Sequence, residues 1–210
     1  EEGLGGAIRI ESRSGEFSDS KEWSSYGSAE ANYGSNASSW GAALFAGVNN
    51  AHHWLDLSAS KDKGGNYEFD GGVVADSQYD REQYRLGYGH RFNEAEISFG
   101  AVINRTGETG TPALPMDIRF IDSEQYSFEL ETPAGPGQLA FRLSTLSVDH
   151  VMDNFTSRPP PLKMGKPNYR QSAPYGDTHT ASLVYEIGTE AYDLILGLDG
   201  KRDTHTAKIT

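Results

Sequence analysis

Gln83-Tyr84-Arg85-Leu86-Gly87-Tyr88-Gly89-His90-Arg91-Phe92-Asn93-Glu94-Ala95-Glu96-Ile97-Ser98-Phe99-Gly100-Ala101-Val102-Ile103 decides the fold class. Side chains alternate between the two faces of a strand, so a period of two marks a sheet with unlike sides. Over Ala95–Ile103, Ala95, Ile97, Phe99, Ala101 and Ile103 share one face, and Glu96, Ser98 and Gly100 the other. Over Gln83–Phe92, Tyr84, Leu86, Tyr88 and Phe92 oppose Gln83, Arg85, Gly87 and Arg91. Asn93-Glu94 is a tight turn, so the two segments form a hairpin.

The same grammar extends in both directions. Ser123–Glu131 sets Tyr126, Phe128 and Leu130 against Ser127, Glu129 and Glu131. Gln138–Met152 sets Leu139, Phe141 and Leu143 against Arg142 and Ser144. Thr178–Ile187 sets Ala181, Leu183, Tyr185 and Ile187 against Thr180, Ser182 and Glu186, and Tyr192, Leu194, Leu196 and Leu198 alternate with Asp193, Gly197 and Asp199. Upstream, Trp40–Val48 and Trp54–Ser60 make another hairpin, with Trp23–Tyr33 as a first strand. Connections at 49–52, 93–94, 133–137 and 188–190 are short, whereas those at 62–82, 105–122 and 153–177 are long, polar and rich in Gly and Pro. Strict alternation of short and long connections is the habit of outer-membrane barrels, with short periplasmic turns and long external loops. A soluble β-sandwich is the ordinary source of alternating strands, but here Arg and acidic residues sit in mid-strand, as suits a wet lumen. The expected fold is therefore all-β: an antiparallel transmembrane β-barrel segment of about nine meandering strands. An open sheet of that kind leaves edges that lipid cannot satisfy, so the chain is expected to be the first part of a larger barrel. Trp40, Trp54, Tyr84, Phe92, Tyr126, Tyr185 and Tyr192 fall near strand ends, where interfacial aromatic girdles are expected.

Composition agrees with this reading. Of 210 residues, 36% are hydrophobic and 11% aromatic, a combination that fits strands apolar on one side and excludes disorder. A net charge of -12 excludes a nucleic-acid partner, which needs a cationic face. No apolar run is long enough for a transmembrane helix, and with no cysteine there is neither a disulfide framework nor a thiolate metal site. No nucleophilic triad, paired-carboxylate or phosphate-loop arrangement is present, so the chain is not expected to be an enzyme.

The first residues suggest a family. Gly5-Gly6-Ala7-Ile8-Arg9-Ile10-Glu11-Ser12-Arg13 resembles the segment that ends the plug domain of TonB-dependent outer-membrane receptors, where a Gly-Gly pair precedes an alternating strand. The resemblance implies a division into the last plug strand (1–13), a linker (14–22) and the N-terminal part of a roughly 22-stranded plugged barrel (23–210). It implies an outer-membrane location, uptake of a scarce nutrient, lipid around the barrel and a TonB-type energy-transducing complex acting through the plug.

Asp149-His150-Val151-Met152-Asp153-Asn154 is similar to the segment of TonB-dependent copper receptors in which a His-x-Met pair binds the metal. In that family a Cys and a Met of the plug complete the site. His150 and Met152 share the parity of Arg142 and Ser144, so both are expected to face the lumen at the outer end of the strand. Thioether and imidazole together suit copper, as transported substrate, better than Mg or Ca. Met164 is the one methionine of the following loop and a third candidate ligand. A ferric-siderophore or cobalamin-like receptor of the same superfamily and a passive porin are the alternatives.

The remaining candidates have plainer readings. Adjacent His52 and His53 point to opposite faces and serve a turn; His90 and His179 fall on lipid-facing parity near strand ends; His205 carries no signal. Asp149 and Asp153 lack the dense oxygen cage that Ca²⁺ requires. The apolar loop Thr109–Asp117 is expected to be stiffened by Pro112 and Pro115, with packing on a plug or contact with substrate as the alternative.

Overall fold

A computed structural model of the chain describes residues 15–188 and 192–209. The expected plug strand over Gly5–Arg13 and the turn residues 189–191 lie outside these. Nine strands form one antiparallel meander: β1 (Ser24–Gly34), β2 (Ser39–Asn49), β3 (His53–Gly64), β4 (Tyr79–Phe92), β5 (Ala95–Thr106), β6 (Asp117–Ala134), β7 (Gly137–Asp153), β8 (Gln171–Gly188) and β9 (Asp193–Ile209). Each strand pairs with its chain neighbours, such as Phe99 with Phe128, Phe128 with Leu143 and Leu183 with Leu198, in a register broken by one shift between Ile118 and Phe120 of β6. The fold is that of a β-barrel segment.

Register places the side chains in two sets. One face carries Leu44, Leu55, Leu57, Leu86, Phe99, Phe128, Leu143, Leu183 and Leu196. The other carries Asp56, Ser58, Gln83, Arg85, Ser98, Ser127, Glu129, Arg142, Ser144, Thr180 and Ser182. The apolar face stays uncovered: among the described residues only Ala37, Phe45, Trp54 and Val151 are buried hydrophobics, while Leu44 is 47% and Phe99 48% exposed. A single sheet that hides neither face is inside-out for water and right for a barrel wall, with lipid on one side and a wet lumen on the other.

Several strands outrun their hydrophobic pattern. β6 and β8 have 18 residues each, roughly 60 Å of strand at about 3.3 Å per residue, where about 9–11 tilted residues cross a bilayer. The excess lies toward the long loops. Tyr84 and Tyr126 mark the boundary, each hydroxyl donating to a carboxylate two residues farther out, Glu82 (2.9 Å) and Glu124 (3.1 Å). Beyond that level both faces are wet, and the ladder continues without alternation.

The connections follow the expected asymmetry with one departure. At one end are Asn50–His52, Asn93-Glu94 and Gly135-Pro136, with Asn93 and Gly135 at positive φ. At the other end are the long loops 65–78, 107–116 and 154–170, but the first connection there is a short 3₁₀ turn at Asn36–Ser38. Two of the long loops contain small ladders, Glu68–Phe69 with Gly72–Val73 and Leu162–Lys163 with Lys166–Pro167.

Candidate luminal metal site

β7 is regular through His150 and Met152, so both stand on the face of Arg142 and Ser144, about 7 Å apart along the strand. The irregularity lies on β6, where an extra residue, Arg119, sets Ile118 opposite Met152 and Ile121 opposite His150. On the other side, His150 lies beside Pro174, and Met152 pairs with Ser172. His150 is about 16 Å beyond Thr145, the partner of the boundary residue Tyr126, and so stands clear of the hydrocarbon. Its Nε2 is buried and makes no hydrogen bond. Burial pushes the imidazole pKa down, and the charge of Asp149 only partly opposes this. A neutral ring with an unused lone pair is the state in which imidazole binds a metal.

The rest of the Asp149–Asn154 string is structural. Both carboxylate oxygens of Asp153 are engaged by the next turn: Oδ1 accepts the N–H groups of Phe155 (3.0 Å) and Thr156 (2.8 Å), and Oδ2 the Thr156 hydroxyl (2.6 Å). Asn154 clasps the far end of the loop, donating to the Asn168 carbonyl (2.9 Å) and accepting the Arg170 N–H (2.8 Å). Asp149 stands on the outer face opposite Asp122. Among the described residues no group of three or more His, Cys, Asp and Glu side chains could hold an ion. A site on His150 and Met152 therefore needs donors of other kinds or from other segments.

Met164 is not brought to the pair. It occupies the left-handed tip of the Leu162–Pro167 ladder at φ 52 and is 97% exposed. A thioether within bonding range of a shared ion would be partly covered by the imidazole.

The apolar loop 109–117 is tied down by a residue that sequence reading passed over. Arg158 Nε donates to Asp117 Oδ2 (2.6 Å), and its other nitrogens reach Asp117 Oδ1 and the carbonyls of Leu114 (3.1 Å) and Thr111 (3.3 Å). Thr111 N–H also donates to Asp117 (2.8 Å). Burial of Asp117 works to raise its pKa, but the Arg158 guanidinium and the Thr111 bonds outweigh it and leave the carboxyl below its usual range. The two prolines alone do not account for the loop's shape.

At the short-turn end, the segment expected to be a linker lies against the luminal face. Gly15 N–H donates to the buried Asp56 Oδ2 (2.5 Å), and Arg85 Nη1 is 3.5 Å from Asp56 Oδ1. Phe17 meets the Trp54 ring edge-on at 6.5 Å, with the Arg91 guanidinium 4.2 Å from its own ring. The backbone is tied to the β2–β3 turn by Ser18 N–H to Asn50 O (3.0 Å) and Ala51 N–H to Ser20 O (2.6 Å). This corrects the reading of Trp54 as a girdle residue: it shares the polar face with Asp56 and is 7% exposed. Gly87 and Gly89 make room for it, since a Cβ on Gly89 would come 2.0 Å from Trp54 Nε1. Two consecutive luminal glycines opposite an even-numbered Trp were the available signal.

The remaining histidines divide by face. His53 and His90 stack at 4.4 Å on the apolar face, between Trp23 and Phe92, and His52 belongs to the turn. His179 pairs with Thr145 on the same apolar face. A hollow of about 760 Å³, larger than the one beside His150, lies among the outer ends of β2–β4 and is lined by neither His nor Met, so size does not mark the candidate site.

No family model and no curated protein matches the sequence. Among solved structures the chain is similar to a copper transporter, OprC, with a TM-score of 0.83 at 20% identity over 92% of this chain. The matched part is 31% of that protein, so the chain spans about a third of its length. At this identity the likeness establishes the fold.

Proposed function

We propose that this chain is the first part of the barrel of an outer-membrane TonB-dependent receptor that takes up a metal, copper before others. The observation that carries the reading is the desolvated His150 beside Met152 on the luminal face, at the long-loop end where an incoming solute arrives. Imidazole nitrogen and thioether sulfur form a donor pair suited to copper and poor for Mg or Ca. The similarity to a protein named as a copper transporter supports the same choice.

The lie of residues 15–20 favours a plugged receptor over a passive porin. Asp56 and Trp54 anchor this segment against the luminal wall, on the side where a plug would sit. In this reading the outer loops and the luminal pair capture the metal, and a TonB-type complex displaces the plug. Energy must come from elsewhere because the outer membrane maintains no gradient of its own.

The test is copper affinity of the complete receptor with His150→Ala and Met152→Ala, together with copper uptake by cells whose inner-membrane proton gradient has been collapsed. The double variant is expected to lose copper binding and the collapsed cells to lose uptake. Unchanged affinity in the double variant overturns the copper assignment, and gradient-independent uptake overturns the energised receptor.

A further inference from the structure

His205 was without signal in the sequence, yet register brings it to the same wall. It lies on β9 opposite Gly176 of β8, which in turn pairs with Val148 of β7. All three stand on the luminal face with His150, which is the diagonal neighbour of Gly176. His205 stands two strands from His150 and two residues away in register, so their Cα atoms are about 12 Å apart, a span that two imidazole side chains and a shared ion can bridge.

The imidazole of His205 leans over Gly176. A Cβ built on that glycine would come 3.1 Å from His205 Nδ1 and 3.3 Å from Cε1. Because Gly176 has no side chain, the ring can lie across β8 toward β7. One hollow of about 320 Å³ is lined by both His150 and His205, with Leu146, Val148, Pro174 and Thr178 around them. Its walls are largely apolar.

We propose that His205 is a further metal ligand, which closes with His150 across Gly176 to form a two-imidazole copper site in the barrel wall. The inference rests on the proposed function and adds a ligand to that site from β9. Two imidazole nitrogens provide a borderline donor set that suits copper. The apolar lining disfavours strongly hydrated ions such as Mg²⁺, which keep their waters. Binding is simple coordination. Each ring donates a lone pair and, if protonated beforehand, releases its proton to solvent.

The experiment uses the complete receptor in detergent with Cu²⁺ as probe, reading affinity and the nitrogen hyperfine pattern of the bound ion. The wild type is expected to bind Cu²⁺ through two nitrogens. His205→Ala should leave one and weaken binding by about tenfold or more, since loss of even an outer-shell partner costs that much. Gly176→Val, which retains both histidines but takes the space under the ring, should weaken binding in the same direction. Heat-dependent gel mobility checks that each variant barrel is folded.

If His150→Ala weakens binding while His205→Ala and Gly176→Val leave affinity and spectrum unchanged, His205 is no ligand and the proposed function stands without it. A wild-type receptor that binds no copper overturns both readings.

Discussion

At the scale of single residues, the luminal wall depends on a few buried polar contacts. Asp56 is buried between the Gly15 amide and the Arg85 guanidinium. Removing the carboxylate leaves the buried Gly15 amide without its acceptor, at a cost of about 1–3 kcal/mol. Asp56→Ala is therefore expected to release residues 15–20 from the wall while leaving the meander intact. Hydrogen exchange at the Gly15 amide should quicken by on the order of 100-fold; unchanged exchange would mean that Trp54 and Phe17 hold the segment by themselves. The same residues mark what sequence could disclose. The luminal placement of His150 and Met152 was legible because β7 keeps strict alternation from Arg142 onward. Trp54 was misread because a tryptophan near a strand end usually means an interface, although its even number placed it with Asp56 and Ser58. The ties from Asn154 to Asn168 and Arg170 cross a whole loop, and no local pattern announces them. His205 gained meaning only when register set it over Gly176.

At the scale of elements, the long loops behave as a built structure. Arg158 from the 154–170 loop reaches into the 107–116 loop, and a second carboxylate, Asp76 of the 65–78 loop, lies 3.6 Å from its Nε. Three loops thus share one guanidinium. Arg158→Leu is expected to leave the nearly buried Asp117 charge unpaired and loosen the 107–116 loop by about 3 kcal/mol. Protease cleavage within that loop at neutral pH, absent in the wild type, is the measurement. Acid should reproduce the effect. Because the carboxyl pKa of Asp117 is lower in the folded loop than in the free chain, its stabilisation is complete above about pH 4. It is lost as pH falls through the lower folded value. Asp153 shifts in the same direction: burial raises its pKa, but the Thr156 hydroxyl and the Phe155 and Thr156 amides outweigh it. Both loop ties should therefore hold above about pH 4 and weaken as pH falls below it, each through its own lowered folded value; loop protection that declines on raising pH from 5 to 8 would contradict the sign. The strand lengths show why elements were only partly legible. Alternation identified the stretch that crosses the membrane, as in Ser123–Glu131, but β6 begins at Asp117. Outside the bilayer both faces meet water, so hydrogen bonding persists where periodicity ends.

At the scale of the whole molecule, the sheet poses a problem that only its surroundings solve. Leu55, Leu57, Leu86, Leu143, Leu183, Leu196 and Leu198 all lie on one face and are between 40% and 72% exposed. No second sheet covers them among the described residues; the two other ladders are two-stranded loop features. Each large apolar side chain left in water forgoes about 1.5–3 kcal/mol of burial, and a contiguous face of them far exceeds the patch a soluble monomer tolerates. Long strands at the margins add to this, since β9 has one neighbouring strand here and offers 17 residues for pairing with another chain. The chain of 210 residues, produced alone, is therefore expected to aggregate in detergent-free buffer and to show strand-rich circular dichroism only in micelles or bilayers. Sedimentation with and without detergent distinguishes the outcomes. A detergent-free monomer that unfolds cooperatively would require the Leu and Phe face to be covered by protein, and that would replace the barrel wall with a soluble sandwich. The same logic separates the two faces by mutation. A charge at Phe99, in mid-membrane on the lipid side, should cost about 2–4 kcal/mol of barrel stability, the depth-dependent penalty of a lipid-facing cation. The same charge at its neighbour Ser98, on the wet side, should be nearly neutral.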